Sequence, residues 1–247
     1  MYEFLKKILF AVFSKGFISR NETFLRNINY QLIYKGNNHK CNVCDTNLKK
    51  FIPHSYGNLC PKCGSLPRTR FLWALLSNEE LLGKKLLHFS PQKGLQKKLQ
   101  SIFNSNYYDT DYLGKTTKFN FDIQQINLED NAIDIIICYH VLEHVPNDIK
   151  AMKELHRIIN PNGYICLQVP FREGETIEDP TEKDPKVRLA KFGQEDHLRW
   201  YNLEDFTQRL QSVGFKTEMI KTKDSDLDLN YLGLNQNEVV IKACKVL

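Results

Sequence analysis

Between Ile133 and Cys138 the chain is almost unbroken apolar, interrupted by Asp134 and dominated by β-branched isoleucine. Such a run predicts a strand buried on both faces, as in the middle of a parallel sheet. Polar residues follow at once: Tyr139, His140, Glu143 and His144. Pro146-Asn147-Asp148 then opens a helix that sets Ile149, Met152, Leu155 and Ile158/Ile159 on one face, the spacing of a buried stripe. Asn160-Pro161-Asn162-Gly163 stops it, and 164–169 reads as another buried strand. Strand, helix and strand make a parallel crossover. In open sheets of that kind ligands bind beyond the carboxyl ends of the strands, which is where the polar cluster falls.

The same pattern extends to both sides. Residues 84–89 predict a first strand, and 95–103 a helix with Leu95, Leu99 and Ile102 inward. Second and third strands are expected at 107–111 and 119–123. After Val169 the apolar rhythm stops, and 170–185 reads as a long polar loop of the kind kept for lids and binding segments. Residues 192–201 then mix Gln194, Glu195, Asp196, His197 and Arg199 with aromatics. Asn202 caps a helix carrying Phe206, Leu210 and Val213, closed by Gly214. Residues 215–220 and 238–244 predict a last strand pair. Upstream, Phe71, Leu72, Leu75 and Leu76 mark a buried helical face ending near Gly83. At the start, Leu5, Ile8, Leu9 and Val12 form an apolar stripe opposite Lys6 and Lys7. Its unbroken apolar part is too short for a membrane span or a signal peptide. The stripe suits a helix packed on the body or on a second copy in a homodimer; contact of residues 1–20 with a membrane surface is the weaker alternative.

Cysteine spacing adds a second theme. Cys41-x2-Cys44, fifteen intervening residues and Cys60-x2-Cys63 match a four-thiolate zinc site. Each pair turns two sulfurs toward one metal, and two pairs complete a tetrahedron with no open position, so the Zn2+ is expected to be structural. Seven cysteines in 247 residues do not make a secreted disulfide scaffold, and the paired thiols point to a reducing, cytoplasmic setting. Cys138, Cys166 and Cys244 fall on strands as packing residues. The net charge of +5 permits an anionic partner without requiring one. Lys49, Lys50, Lys62, Arg68 and Arg70 flank the ribbon with Phe51, Tyr56 and Phe71. Because these basic residues are scattered, a bracing ribbon is favoured over a nucleic-acid grip.

The strand ending in His140-Val-Leu-Glu-His-Val145, followed by Pro-x-Asp, a helix and Asn-Pro-Asn-Gly, resembles the class I S-adenosylmethionine-dependent methyltransferases of the small "type 11" kind. The resemblance covers roughly 84–245. It implies a Rossmann-like α/β fold: a doubly wound, mostly parallel seven-stranded sheet with an antiparallel last strand. The expected organisation is an N-terminal helical segment (1–38), a four-cysteine zinc ribbon (39–66) and a methyltransferase domain (67–247) with an acceptor-side insert at 170–200. By resemblance the cofactor S-adenosylmethionine lies along Phe89, Ser90, Pro91 and Gly94, although a Gly-x-Gly-x-Gly loop is usual there, and His88 stands where an acidic residue is usual. Asp111, seventeen positions after Gly94, suits the ribose hydroxyls, with Asp109 as its competitor. By the same resemblance Asp122 would accept from the adenine amino group, Ile123 would lie against the ring, and Tyr139 would line the site from the central strand.

Methyl transfer from a sulfonium needs in-line geometry and a dry pocket more than covalent help. For a hydroxyl acceptor a base is useful; His140 and His197 are the candidates, His144 being read as structural. The primary expectation is an enzyme that methylates a small molecule, such as a sugar or a secondary metabolite. The alternatives are an RNA methyltransferase that grips its substrate with the ribbon, and a non-catalytic binding protein that keeps the fold without cofactor affinity.

Overall fold

The computed structural model describes residues 15–112 and 117–246; the N-terminal stripe at 4–13 lies outside them. The chain divides into two compact units. One comprises Met1–Glu80, Gln92–Lys98 and Lys221–Glu238, the other Leu81–Pro91, Leu99–Ile220 and Val239–Leu247.

The first unit begins with helix α1 (Lys15–Asn29) and a π-helical turn at Tyr30–Tyr34. Strands β1 (Lys35–Cys41) and β2 (Thr46–Leu48) pair antiparallel. An isolated bridge between Ile52 and Leu59 and helix α2 (Pro67–Leu76) follow. Pro67 suits the first turn of α2, where its missing N–H leaves nothing unsatisfied. The segment 221–238 is tied in by Lys40 N–H donating to Tyr231 O at 2.9 Å. At Gly233 the backbone is left-handed (φ +62°) and a side chain would sit 2.4 Å from the Phe51 ring, so both conformation and space demand glycine.

The second unit is built on a six-stranded sheet. Its elements are β3 (Leu86–Phe89), helix α3 (Lys93–Phe103, whose first turns belong to the other unit), β4 (Tyr107–Thr110), β5 (Ile133–Tyr139), helix α4 (Asp148–Ile158) and β6 (Ile159–Gln168). Next come β7 (Phe171–Arg172), β8 (Ile177–Glu178), helix α5 (Pro185–Phe192), β9 (Arg199–Asn202), helix α6 (Leu203–Ser212), β10 (Phe215–Lys221) and β11 (Val239–Lys245). The strand order is β10-β11-β6-β5-β3-β4. β4, β3, β5 and β6 run parallel, while β11 pairs antiparallel with β6. This is the α/β class that the hydrophobic pattern predicts, with the antiparallel closing strand that the family resemblance implies.

β3 and the run Ile135–Cys138 are buried throughout. α4 buries Ala151, Met152, Leu155 and Ile158, and the Asn147 side chain caps it by accepting from Lys150 N–H. The strand after α4 begins earlier than the Asn-Pro-Asn-Gly stop suggests. Ile133 faces Ile159, Ile135 faces Tyr164, and the intervening turn is absorbed as a register irregularity. Gly163 permits it, since a Cβ there would lie 2.5 Å from Asp134 O.

Two expectations need correction. Residues 119–123 are not a third strand: they contribute one parallel bridge, Thr110 to Phe119, so the sheet has six strands among the described residues and not seven. Phe119 stacks between Tyr108 and Phe121, and Asp122 turns the chain by accepting from Gln124 N–H at 2.8 Å. Local aromatic stacking and an Asx turn replace the ladder. The stretch 170–185 is not a structureless loop either, because β7 and β8 within it flank β9 in a three-stranded sheet, and α5 begins at its end.

Candidate functional site

β3, β4 and β5 end in step: Phe89 is level with Thr110 on one side and Cys138 on the other. Beyond them two non-glycine residues adopt left-handed backbone, Ser90 (φ +46°) and His140 (φ +54°). Ser90 N–H crosses to Thr110 O at 2.8 Å, and His140 N–H crosses to Gln168 O at 2.8 Å. Strained residues of this kind persist where the surroundings hold them, and they gather at functional sites. Proline at 91 follows the bend at Ser90, where glycine-rich loops would otherwise make the turn.

The expected cofactor residues fall into different settings. Phe89 is buried, Ser90 exposed and Pro91 half-buried. Gly94 belongs to the first unit, where it packs on the cysteine knuckle: a Cβ there would lie 3.0 Å from Cys63 O and 3.4 Å from its sulfur. Of the two acidic residues near the end of β4, Asp109 is buried and its carboxylate accepts from Lys118 N–H at 3.1 Å. Asp111, just past the strand, is half-buried. Asp122 is exposed, and its Oδ1 is held by Gln124. Ile123 is packed in the core, and Tyr139 is half-buried at the end of β5. His88 is a core residue: its Nδ1 pairs with Tyr107 O–H at 2.9 Å, and burial pushes its pKa down to about 3.

Around the end of β5 the insert is stitched to the turn that follows the strand. Leu198 N–H donates to Glu143 O at 2.9 Å. The buried Arg199 guanidinium donates to the carbonyls of Leu142, Val145 and Pro146 and to Glu178 Oε2. Tyr201 O–H donates to Asp148 Oδ2 at 2.7 Å, and Arg209 joins Asp148 and Glu178. This network carries His197 next to His144, their rings edge to face at 4.8 Å. His140 is partly exposed, with Nδ1 3.2 Å from the fully buried Glu143 carboxylate. His197 is buried, its Nδ1 3.3 Å from Phe192 O, and burial holds it below the ordinary imidazole value. Glu143 and His144 belong to the polar cluster that the sequence sets at the ligand edge, without a specific role for Glu143 and with a structural one for His144; the signal that pairs them is a carboxylate flanked by histidines at −3 and +1.

Cys41, Cys44, Cys60 and Cys63 converge, their sulfurs all within 4.8 Å of one another and paired at 3.6 and 3.9 Å. A tetrahedral zinc about 2.3 Å from each sulfur requires neighbouring sulfurs about 3.8 Å apart, so the set fits that ion. On their own the four thiols cannot all ionise: contact with Cys41 pushes Cys60 and Cys63 well above the ordinary thiol range. A divalent cation at the centre removes that obstacle. Ser65 Oγ lies 3.2 Å from both Cys41 and Cys63 sulfurs, and Arg70 sits behind it. Arg70 is fully buried, with its guanidinium on the carbonyls of Asn58, Ser65, Leu232 and Gly233. No carboxylate pairs with it among those contacts, and the thiolates supply the compensating charge; burial nonetheless pulls its pKa down.

A cavity of about 430 Å³ opens between the 174–176 loop and the first turns of α6, with Asn202, Asp205 and Arg209 on its wall. None of the expected cofactor or catalytic residues lines it. No described helix is long and apolar enough to cross a membrane.

A family model for the methyltransferase domain matches residues 75–219, more than half of the chain. The chain is 22% identical over 135 residues to the ubiquinone biosynthesis O-methyltransferase of Thiobacillus denitrificans, covering 47% of this chain and 58% of that protein. It spans 34% to 58% of the length of the curated relatives it matches. Among solved structures it superposes on the [4+2]-cyclase SpnF (TM-score 0.51, 13% identity, 79% of this chain and 86% of that one). It also superposes on phosphoethanolamine N-methyltransferase 2 of Haemonchus contortus (TM-score 0.50, 14% identity, 71% and 52%). At these identities the likeness is one of fold, and a fold does not fix the reaction carried on it.

Proposed function

Because the chain belongs to the methyltransferase domain family, we propose that it transfers a methyl group from S-adenosylmethionine to a small-molecule acceptor. The observation that carries this reading is the pair of left-handed residues, Ser90 and His140, at the aligned ends of β3 and β5. That strand-end edge is where a doubly wound sheet offers a ligand crevice. S-adenosylmethionine supplies, when bound, an activated methyl group on a sulfonium.

The chain's own residues would do the rest. Asp111 is the carboxylate placed past β4 to accept from ribose hydroxyls, since Asp109 is spent on Lys118. The Ser90–Pro91 bend and Tyr139 would flank the cofactor. Asp122 and Ile123 are engaged in a turn and in the core, and their part at the adenine is correspondingly reduced. His140 stands at the strand end to take a proton from a hydroxyl acceptor. The folded insert, stitched by Leu198 and Arg199 to the turn after β5, supports an enclosed small acceptor. Cys41, Cys44, Cys60 and Cys63 would hold a structural Zn2+ that folds the first unit.

Incubation with S-adenosylmethionine and a panel of hydroxylated small molecules, read by mass spectrometry, tests the reading. A product heavier by one methylene, with equimolar S-adenosylhomocysteine, is expected. Cofactor binding with methylation of RNA and of no small molecule would replace the acceptor class.

A further inference from the structure

Glu143, His144 and His197 form a second cluster of metal-binding chemistry, with their ligand atoms within 4.8 Å of one another. Glu143 is fully buried, and among the described residues neither of its carboxylate oxygens accepts a hydrogen bond, although His140 Nδ1 approaches Oε1 to 3.2 Å. A buried carboxylate is costly unless a counter-charge meets it. Both imidazoles are held through the same nitrogen. His144 Nδ1 lies 3.1 Å from Asp196 O and 3.4 Å from the Asp196 carboxylate, and His197 Nδ1 lies 3.3 Å from Phe192 O. Carbonyl and carboxylate partners at Nδ1 favour the Nδ1–H tautomer and leave the Nε2 lone pair for a cation, the usual outer-shell arrangement of a metal-binding histidine.

We propose that Glu143, His144 and His197 bind a divalent first-row transition cation, leaving coordination positions on the exposed side of His144 for an oxygen of the methyl acceptor. Two imidazoles and one carboxylate suit manganese, iron, cobalt or zinc better than magnesium or calcium. The site is distinct in kind from the cysteine cluster, which has four soft ligands and no open position. The acceptor assignment rests on the methyltransferase reading, whereas the cation site does not. An acceptor hydroxyl on the cation becomes more acidic and loses its proton to His140, the base beside Glu143. Its oxygen then forms the new C–O bond as the C–S bond breaks, and the electron pair leaves on sulfur. His197 serves here as a ligand in place of the base suggested by its position in the sequence.

The test titrates Co2+ into protein already carrying zinc at its cysteines, for the wild type and for E143Q and H197N. One further Co2+ per chain is expected, with visible bands free of thiolate charge transfer and affinity at least about tenfold weaker in each variant. Circular dichroism and retained zinc establish that the variants are folded, and H144N, altered on the half-exposed side, substitutes for a buried variant that is not. No further Co2+, or uptake that these substitutions leave unchanged, overturns the site. Calorimetry with S-adenosylmethionine runs in parallel. Failure of the cofactor to bind while the second Co2+ behaves as expected would refute the methyltransferase reading and support the cation site.

Discussion

The main-chain N–H of Leu198 meets the carbonyl of Glu143 at 2.9 Å, joining the insert to the turn that leaves the central strand. That bond sets His197 opposite His144, and Arg199 locks it by gathering three carbonyls of the same turn. Arg199 is therefore expected to be structurally demanding. Arg199→Met removes a buried charge whose partners then lose their donor, a change that costs about 3 kcal/mol or more. Urea unfolding monitored by tryptophan fluorescence checks it; a loss below about 1 kcal/mol would show that the clamp is dispensable.

Gly94 provides a second expectation. Its Cα faces Cys63, and an added methyl group would meet the Cys63 carbonyl at 3.0 Å and its Cβ at 3.2 Å. Gly94→Ala should cost about 1–3 kcal/mol through overpacking and hasten zinc release to a chelator. Gly16, with nothing within 4 Å of its added Cβ, tolerates alanine and is the control. Equal zinc release rates in the two variants would count against the packing argument.

Arg70 and the cysteines depend on one another. Arg70→Met takes away the donor to four carbonyls and the positive charge beside the thiolates, so zinc affinity should fall about tenfold or more. Removing the zinc itself should unfold the first unit, since the metal's binding free energy is folding free energy there. Zinc content by mass spectrometry and circular dichroism before and after chelation report both effects. A metal-free chain with unchanged spectrum would contradict them.

His88 predicts an acid limb. Its native pKa is pushed down to about 3 from an ordinary 6.5, so below pH 6.5 the unfolded chain binds a proton that the folded one refuses. Stability then declines as pH falls from 6.5 toward 3, by up to about 1.4 kcal/mol per pH unit from this residue alone. The stability gap between wild type and His88→Gln should narrow as the buffer is acidified from pH 6.5 to 5. A gap that stays constant would mean that the ring is not buried neutral.

The elements that could be read from the sequence are those whose cause is local. The isoleucine run of β5, the Asn147 cap and apolar stripe of α4, and the doubled Cys-x-x-Cys each contain their own instruction. Residues 119–123 alternate like a strand in Phe119-Asn-Phe-Asp, whereas Phe119 stacks on Tyr108 and on Phe121, and Asp122 closes a turn. The insert at 170–200 folds through Arg199, Tyr201 and Arg209, whose partners at Leu142, Asp148 and Glu178 are distant or weakly patterned in sequence. Gly94 carries the same limitation, since a glycine after a strand reads as a cofactor loop until the neighbour it must accommodate, Cys63, is known. The imidazoles of His144 and His197 likewise become a site only when Leu198 brings them together.

In the proposed function an adenosyl cofactor rests at the ends of β3, β4 and β5, with Asp111 holding its ribose. Isothermal titration of S-adenosylhomocysteine into the zinc-loaded protein tests it most directly. One site per chain is expected, with affinity at least about tenfold weaker in Asp111→Asn, the loss of a charge-assisted hydrogen bond of about 1.5–3 kcal/mol. No heat in the wild type, or the same affinity in both proteins, would contradict it.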